Sequence, residues 1–134
     1  MTMYLLDTNI CIYAINGRNR KIVETLKSKP VGEVGLSAIT LAELEYGASK
    51  SAHRDRNRLM LIGFASPFRI LPFDSADAEM FGILRTYLER AGTPIGPYDL
   101  QIAAQAVIRN YVLVTNNVGE FRRIPGLKVE NWVV

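Results

Sequence analysis

Three carboxylates, Asp7, Glu43 and Asp99, occupy positions where an acid could hold a ligand. Asp7 ends the apolar run "MYLLD", so it either caps a following helix or projects from a strand end into a site. Glu43 falls within "TLAELEYGASK", and Gly47 lies one turn later on the same helical face, leaving space beside the carboxylate for a metal or a backbone. A solvated helix glutamate is the alternative for Glu43, and Glu45, on nearly the opposite side, suits solvent. Asp99 follows the Gly-Pro of "GPYDLQIAAQA", with Pro97 at a first helical position. Free N–H groups and the helix dipole favour a negative charge there, which alone would account for an acid. If the three instead converge, they would repel one another and hold their protons more tightly, unless a divalent cation offset the charge. His53 is the only histidine and Cys11 the only cysteine. A histidine pair, an internal disulfide and a multi-cysteine metal site are therefore excluded, and zinc would lack its usual nitrogen and sulfur ligands. Chemistry in this chain is expected to depend on carboxylates.

The elements that must position these groups alternate. "MYLLD" reads as a buried strand and "TNICIYAI" as a helix start, with Cys11 a small core residue. "RKIVETLKS" is an amphipathic helix. "VGLSAI" has strand character and leads into a helix with Leu41, Leu44 and Ala48 on one face. A helix is expected over 54–65, ending near Pro67, and "RILPF" as a strand. Ser75 is the expected cap of a helix whose Ala76, Met80, Ile83, Leu84, Tyr87 and Leu88 repeat at helical spacing. After the turn "AGTPIGPYD" come the Asp99 helix, the strand "YVLVT" and a short final strand in "LKVENWVV", anchored by Trp132. Tyr98 and Phe121 read as packing residues, with base stacking the alternative. Alternating strands and helices predict an α/β fold with a mainly parallel sheet covered on both faces.

A chain of 134 residues suits one domain, expected to span 1–134, and no apolar run nears the ~18 residues of a membrane span. With no secretory pattern at its start, a soluble cytoplasmic protein is the expectation. The formal charge of +3 suits a polyanionic partner without requiring one. Lys50, His53, Arg54, Arg56 and Arg58 form a basic run, and Arg122 and Arg123 a second. Solvated surface and contact with RNA phosphates are both open to them.

Four ordered blocks, "LLDTNICIY", "SAITLAELEYGASK", "GTPIGPYDLQIAAQA" and "LVTNNVGEFRRIPGLKVENW", resemble PIN-domain ribonucleases across essentially the whole chain, and specifically the VapC toxins of toxin–antitoxin pairs. The resemblance implies a three-layer α/β/α sandwich and a Mg²⁺- or Mn²⁺-dependent endoribonuclease. It matches Asp7, Glu43 and Asp99 to the first three acids of the family's cluster, which act as catalytic residues and metal ligands. The match departs at the fourth position. Many PIN domains carry Thr-x-Asp after the last core strand, where this chain has Thr115, Asn116 and Asn117. The resemblance implies that Glu120 supplies the missing carboxylate. Thr8, Asn9, Thr115, Asn116 and Asn117 are candidates to orient carboxylates or water.

The implied reaction is attack of a metal-activated water on phosphorus, leaving a 5′-phosphate and a 3′-hydroxyl. The family further implies a structured RNA substrate, with tRNA in its anticodon region as first expectation and initiator tRNA among the candidates. It implies a VapB-like antitoxin whose tail crosses the acidic groove, a homodimer, and contact with operator DNA only through the antitoxin. Two other readings are open. A haloacid-dehalogenase-like phosphatase also ends a strand with Asp, but needs a second Asp where Asn9 stands. A non-catalytic PIN-like module that binds RNA or protein would fit the absence of Asp at position 117.

Overall fold

The computed structural model describes residues 1–134. Its elements, in chain order, are β1 (Tyr4–Leu6), α1 (Thr8–Asn16), α2 (Arg20–Ser28), β2 (Val34–Ser37), α3 (Ala38–Lys50), α4 (Arg54–Ala65) and β3 (Arg69–Leu71). There follow α5 (Ser75–Arg90), α6 (Pro97–Arg109), β4 (Val112–Val114), α7 (Val118–Phe121) and β5 (Lys128–Glu130). The five strands form one sheet in the order β3-β2-β1-β4-β5, and every pairing is parallel.

Strand alternation divides the core in two. Tyr4, Leu6, Val112 and Val114 face one side and pack with Ile10, Cys11, Ile22, Leu44 and Leu61, drawn from α1 to α4. Leu5 and Leu113, between them, face the other side and meet Leu84, Leu88, Leu100 and Phe121 from α5 to α7. Helices therefore cover both faces, the three-layer arrangement expected. Trp132, just beyond β5, is buried in the first cluster with its ring 5.4 Å from that of Tyr4, so the last strand is anchored as anticipated.

The strand order places the site. The chain leaves β1 for β2 on one side, then returns from β3 to β4 on the other. The carboxyl ends of β1 and β4 thus flank the point where the winding reverses, the crevice in which open α/β sheets bind ligands. Asp7 and Thr115 directly follow these two strands. Asn110 at φ 59° ends α6 in a left-handed turn, and β4 begins two residues later. Because α6 leads so tightly into a strand parallel to β1, its N-terminus, with Asp99, returns to the same carboxyl edge.

Several local expectations require correction. Asp74, not Ser75, caps α5, because its side chain accepts from the Asp77 N–H while Asp77 reaches back to the Asp74 N–H. Ile83 and Tyr87 are 57% and 51% exposed; the face buried on α6 is carried by Leu84 and Leu88, with Met80 and Phe81 beside them. The strand in "VGLSAI" stops at Ser37, whose hydroxyl caps α3, so Ala38 and Ile39 are helical. The short helix α7 was not anticipated, since four residues contain no period to read.

Candidate functional site

Asp7 is 5% exposed and caps α1, its Oδ1 accepting from the Ile10 N–H at 2.9 Å. The cap and site readings of this residue are compatible: one oxygen serves the helix, and the residue still lines the cavity at the carboxyl edge. Burial raises its pKa most. A hydroxyl from Thr115 and the Ile10 N–H pull it down, and the charge of Glu43 adds to the rise.

Glu43 lies on α3 and also lines this cavity. Thr8, the first residue of α1, donates to Glu43 Oε1 at 2.7 Å and lies 3.2 Å from the hydroxyl of buried Thr40. Thr8 thereby ties the second acid to the residue adjoining the first. Thr40 was overlooked in the sequence, although it precedes Glu43 by one helical turn on the same face. A Cβ on Gly47 would meet nothing within 4 Å, so this glycine borders open cavity and relieves no crowding. Glu45 is turned away as anticipated, but it is paired: Arg58 Nε lies 3.2 Å from its Oε1.

Asp99 is in the first turn of α6, half-buried, on the cavity wall. Its carboxyl is pushed up to about 6, by burial first and then by the charges of Glu120, Asp7 and Glu43 in that order. Glu120, on α7, is outside the set lining the cavity but close enough to Asp99 for its charge to be the strongest of the three. The Asn117 side chain donates to Glu120 Oε2, and the Thr115 hydroxyl accepts from the Asn117 N–H at 3.0 Å. Asn9 and Asn117 line the main cavity. Asn116 faces a smaller recess beside Asp7 and accepts from Asn131 at 3.3 Å, so its side chain is engaged with the C-terminal segment.

The cavity measures about 810 Å³, within the range of small-molecule and cofactor sites. Besides the acids it is walled by Ile12, Ile39, Phe121, Tyr46, Tyr98 and Lys50. Phe121 is buried as expected of a packing residue, whereas Tyr98 is 61% exposed and packs against little. Of the basic residues singled out in the sequence, only Lys50 reaches the cavity. Arg54, Arg56, Arg122 and Arg123 are exposed outside it, and Arg58 is occupied by Glu45.

No three His, Cys, Asp or Glu side chains stand in ready metal-binding geometry. The donor set nevertheless suits a hard divalent cation. Its members are carboxylate and amide oxygens, and a cation would offset both the burial and the crowding of charges that push the Asp99 carboxyl up.

The PIN domain family model matches residues 4–127. The tRNA(fMet)-specific endonuclease VapC of Salmonella typhimurium is 43% identical, covering 98% of this chain and 99% of its own. Ribonuclease VapC2 of Rickettsia felis is 44% identical, over 97% and 98%. Among solved structures, DNA-bound VapBC from Salmonella typhimurium superposes with a TM-score of 0.93 over 98% of this chain and 99% of that one, at 43% identity. The acid-lined crevice at the switch of a parallel sheet and these full-length likenesses agree: this chain belongs to the PIN-domain family, and within it to the VapC ribonucleases.

Proposed function

We propose that this protein is a cytoplasmic, single-domain endoribonuclease of the VapC type that cuts tRNA, initiator tRNA first, in the anticodon region with Mg²⁺ or Mn²⁺. The observation that carries the reading is geometric: Asp7, Glu43 and Asp99, from three separate elements, line one cavity at the carboxyl edge of the sheet, with Glu120 near enough to act on Asp99. Relatives described as tRNA(fMet)-specific endonucleases support the choice of substrate.

Asp7, Glu43 and Asp99 would hold the cation, and Glu120 would supply the fourth carboxylate; when bound, such an ion would supply an acidified water and charge stabilisation at the phosphate. Thr8 fixes Glu43, Thr115 supports Asp7, and Asn117 orients Glu120. Asn9 offers an amide beside Asp7 for a water or a phosphate oxygen. Lys50 brings positive charge into the cavity, while Arg54, Arg56, Arg122 and Arg123 steer the polyanion from outside. VapBC structures among the neighbours support a small VapB-like antitoxin as the neutralising partner; the toxin itself forms a homodimer in this reading. Operator DNA is then contacted through the antitoxin.

End-mapping of tRNA after incubation with the protein and Mn²⁺ tests this function. Expected are discrete cuts leaving 5′-phosphates, absent with chelator and reduced at least ~100-fold in Asp99→Asn, the order of effect expected from removing a group that stabilises transition-state charge. Fragments ending in 2′,3′-cyclic phosphates would instead mean attack by the RNA's own 2′-oxygen and refute the hydrolytic route.

A further inference from the structure

Two exposed tyrosines flank the acids. Tyr46 is 65% and Tyr98 61% exposed, and both line the cavity that holds Asp7, Glu43 and Asp99. The only other tyrosine among the exposed large apolar side chains is Tyr87, on the outer side of α5. Neither position is accidental to the site. Tyr46 follows Glu43 by three residues on α3, so the two share a helical face, and Tyr98 immediately precedes Asp99. Lys50, another turn along α3, puts its Nζ 4.8 Å from the Tyr46 ring centroid and also lines the cavity. Ile12, Ile39 and Phe121 make the wall between them apolar. Acids, two exposed aromatic rings and a cation that covers one face of Tyr46 therefore share one crevice.

We propose that Tyr46 and Tyr98 are positioning residues that stack on unpaired nucleobases beside the scissile phosphate, with Lys50 contacting the adjoining backbone. The inference rests on the nuclease reading above. Its physical basis is that an acidic cluster repels a polyanion unless other contacts hold it, and a base offers an uncharged face. Stacking also requires bases free of a duplex, so the rings select single-stranded loops over helical stems. Ring faces tolerate any base; they govern how well the RNA is held and leave the sequence choice to other contacts.

The test uses a short single-stranded RNA containing one mapped cut site, cleaved under steady-state conditions with Mn²⁺. Tyr46→Leu and Tyr98→Leu are each expected to raise KM about 5- to 100-fold, the range of losing one stacked base, with kcat within about threefold. Tyr46→Phe and Tyr98→Phe, which keep the ring, are expected to stay within about twofold of the parent. Removing a base on either side of the cut, by abasic substitution, should weaken the parent protein and leave the matching Leu variant unaffected. Tm measured for each variant accounts for any that folds poorly. Unchanged KM in both Leu variants would overturn the proposal while parental cleavage kept the nuclease reading intact. A loss confined to kcat in Tyr98→Leu would also overturn it, because the ring would then act only by placing Asp99. If the parent protein cuts no RNA under any metal, the failure belongs to the nuclease reading itself.

Discussion

Asp99 sits under two opposing demands. Its apolar helix buries it enough, and its acidic neighbours crowd it enough, to push its carboxyl from 3.8 up to about 6. A raised acid pKa means that ionisation is disfavoured in the folded chain, so this residue weakens the fold increasingly as pH rises from about 4 to about 6, and fully above that. In metal-free protein, Asp99→Asn should therefore stabilise, by on the order of 1 kcal/mol at pH 7.5 after discounting for its half-exposure to solvent. The advantage should vanish near pH 4. Thermal melts of the pair in chelator at the two pH values check this, and a variant equally or less stable at pH 7.5 would contradict the crowding of charges. The same variant should lose cleavage, as expected of a site kept at some cost to stability. Thr8 presents the complementary case. Its hydroxyl anchors Glu43, so Thr8→Val should lower kcat about 10- to 100-fold, the usual effect of losing a group that orients a metal ligand. Single-turnover rates at saturating RNA measure this, and an unchanged rate would leave Thr8 a mere cap neighbour.

Between elements, the firmest polar tie joins α5 to α6. Asp77, buried, accepts from Arg109 at 2.9 Å and faces Gln105, while both of these α6 residues also reach the carbonyl of Pro72. Burial alone would raise the Asp77 carboxyl. Hydrogen bonds from Arg109, the Asp74 N–H and Gln105 outweigh it and hold the group below its ordinary value. The sign is thus opposite to that of Asp99: Asp77 contributes stability above about pH 4 that is lost as pH falls through its lowered value. Asp77→Ala should cost about 2–3 kcal/mol near neutrality, since Arg109 keeps some solvent contact, and the cost should shrink in acid. Denaturant melts at pH 7 and pH 3.5 check it. Nothing local in the sequence reveals this tie, because Asp77 and Arg109 are 32 residues apart. The same limit explains the misassigned Ile83 and Tyr87. Their spacing is helical, but which edge of a broad apolar stripe is covered depends on where α6 lies. By contrast "MYLLD" and "YVLVT" were legible as core strands, since strands buried on both faces read as unbroken apolar runs. Glu43 and Asp99 were singled out by their neighbours, Gly47 and the Gly-Pro pair. Both signals proved structural: the Gly-Pro pair opens α6, and Gly47 borders the open cavity beside Glu43. Sequence spacing puts Tyr46 on the face of Glu43 but does not tell whether Tyr98 packs or stays open to stack, because exposure is decided by tertiary neighbours.

At the scale of the whole molecule, the acids come from segments separated by more than a hundred residues at their extremes, Asp7 and Glu120, and only the reversal between β1 and β4 unites them. A cation held at that crevice would join α1, α3 and α6 across both layers of helices, so its binding energy would be expressed as global stability and not as local ordering. For a ligand bound only by the folded state, a concentration 100-fold above its dissociation constant adds about 2.7 kcal/mol. For a chain of this length that should raise Tm by roughly 10 °C. Titration with Mn²⁺ at pH 7.5 should therefore move the melt as a single cooperative transition. The shift should shrink near pH 5, where protons compete for Asp99, and nearly disappear in Asp7→Asn or Asp99→Asn. Arg54→Ala, on the exposed rim, should leave it intact. A shift that survives in both acid variants would place the cation elsewhere and separate metal binding from the crevice that the sheet's winding creates.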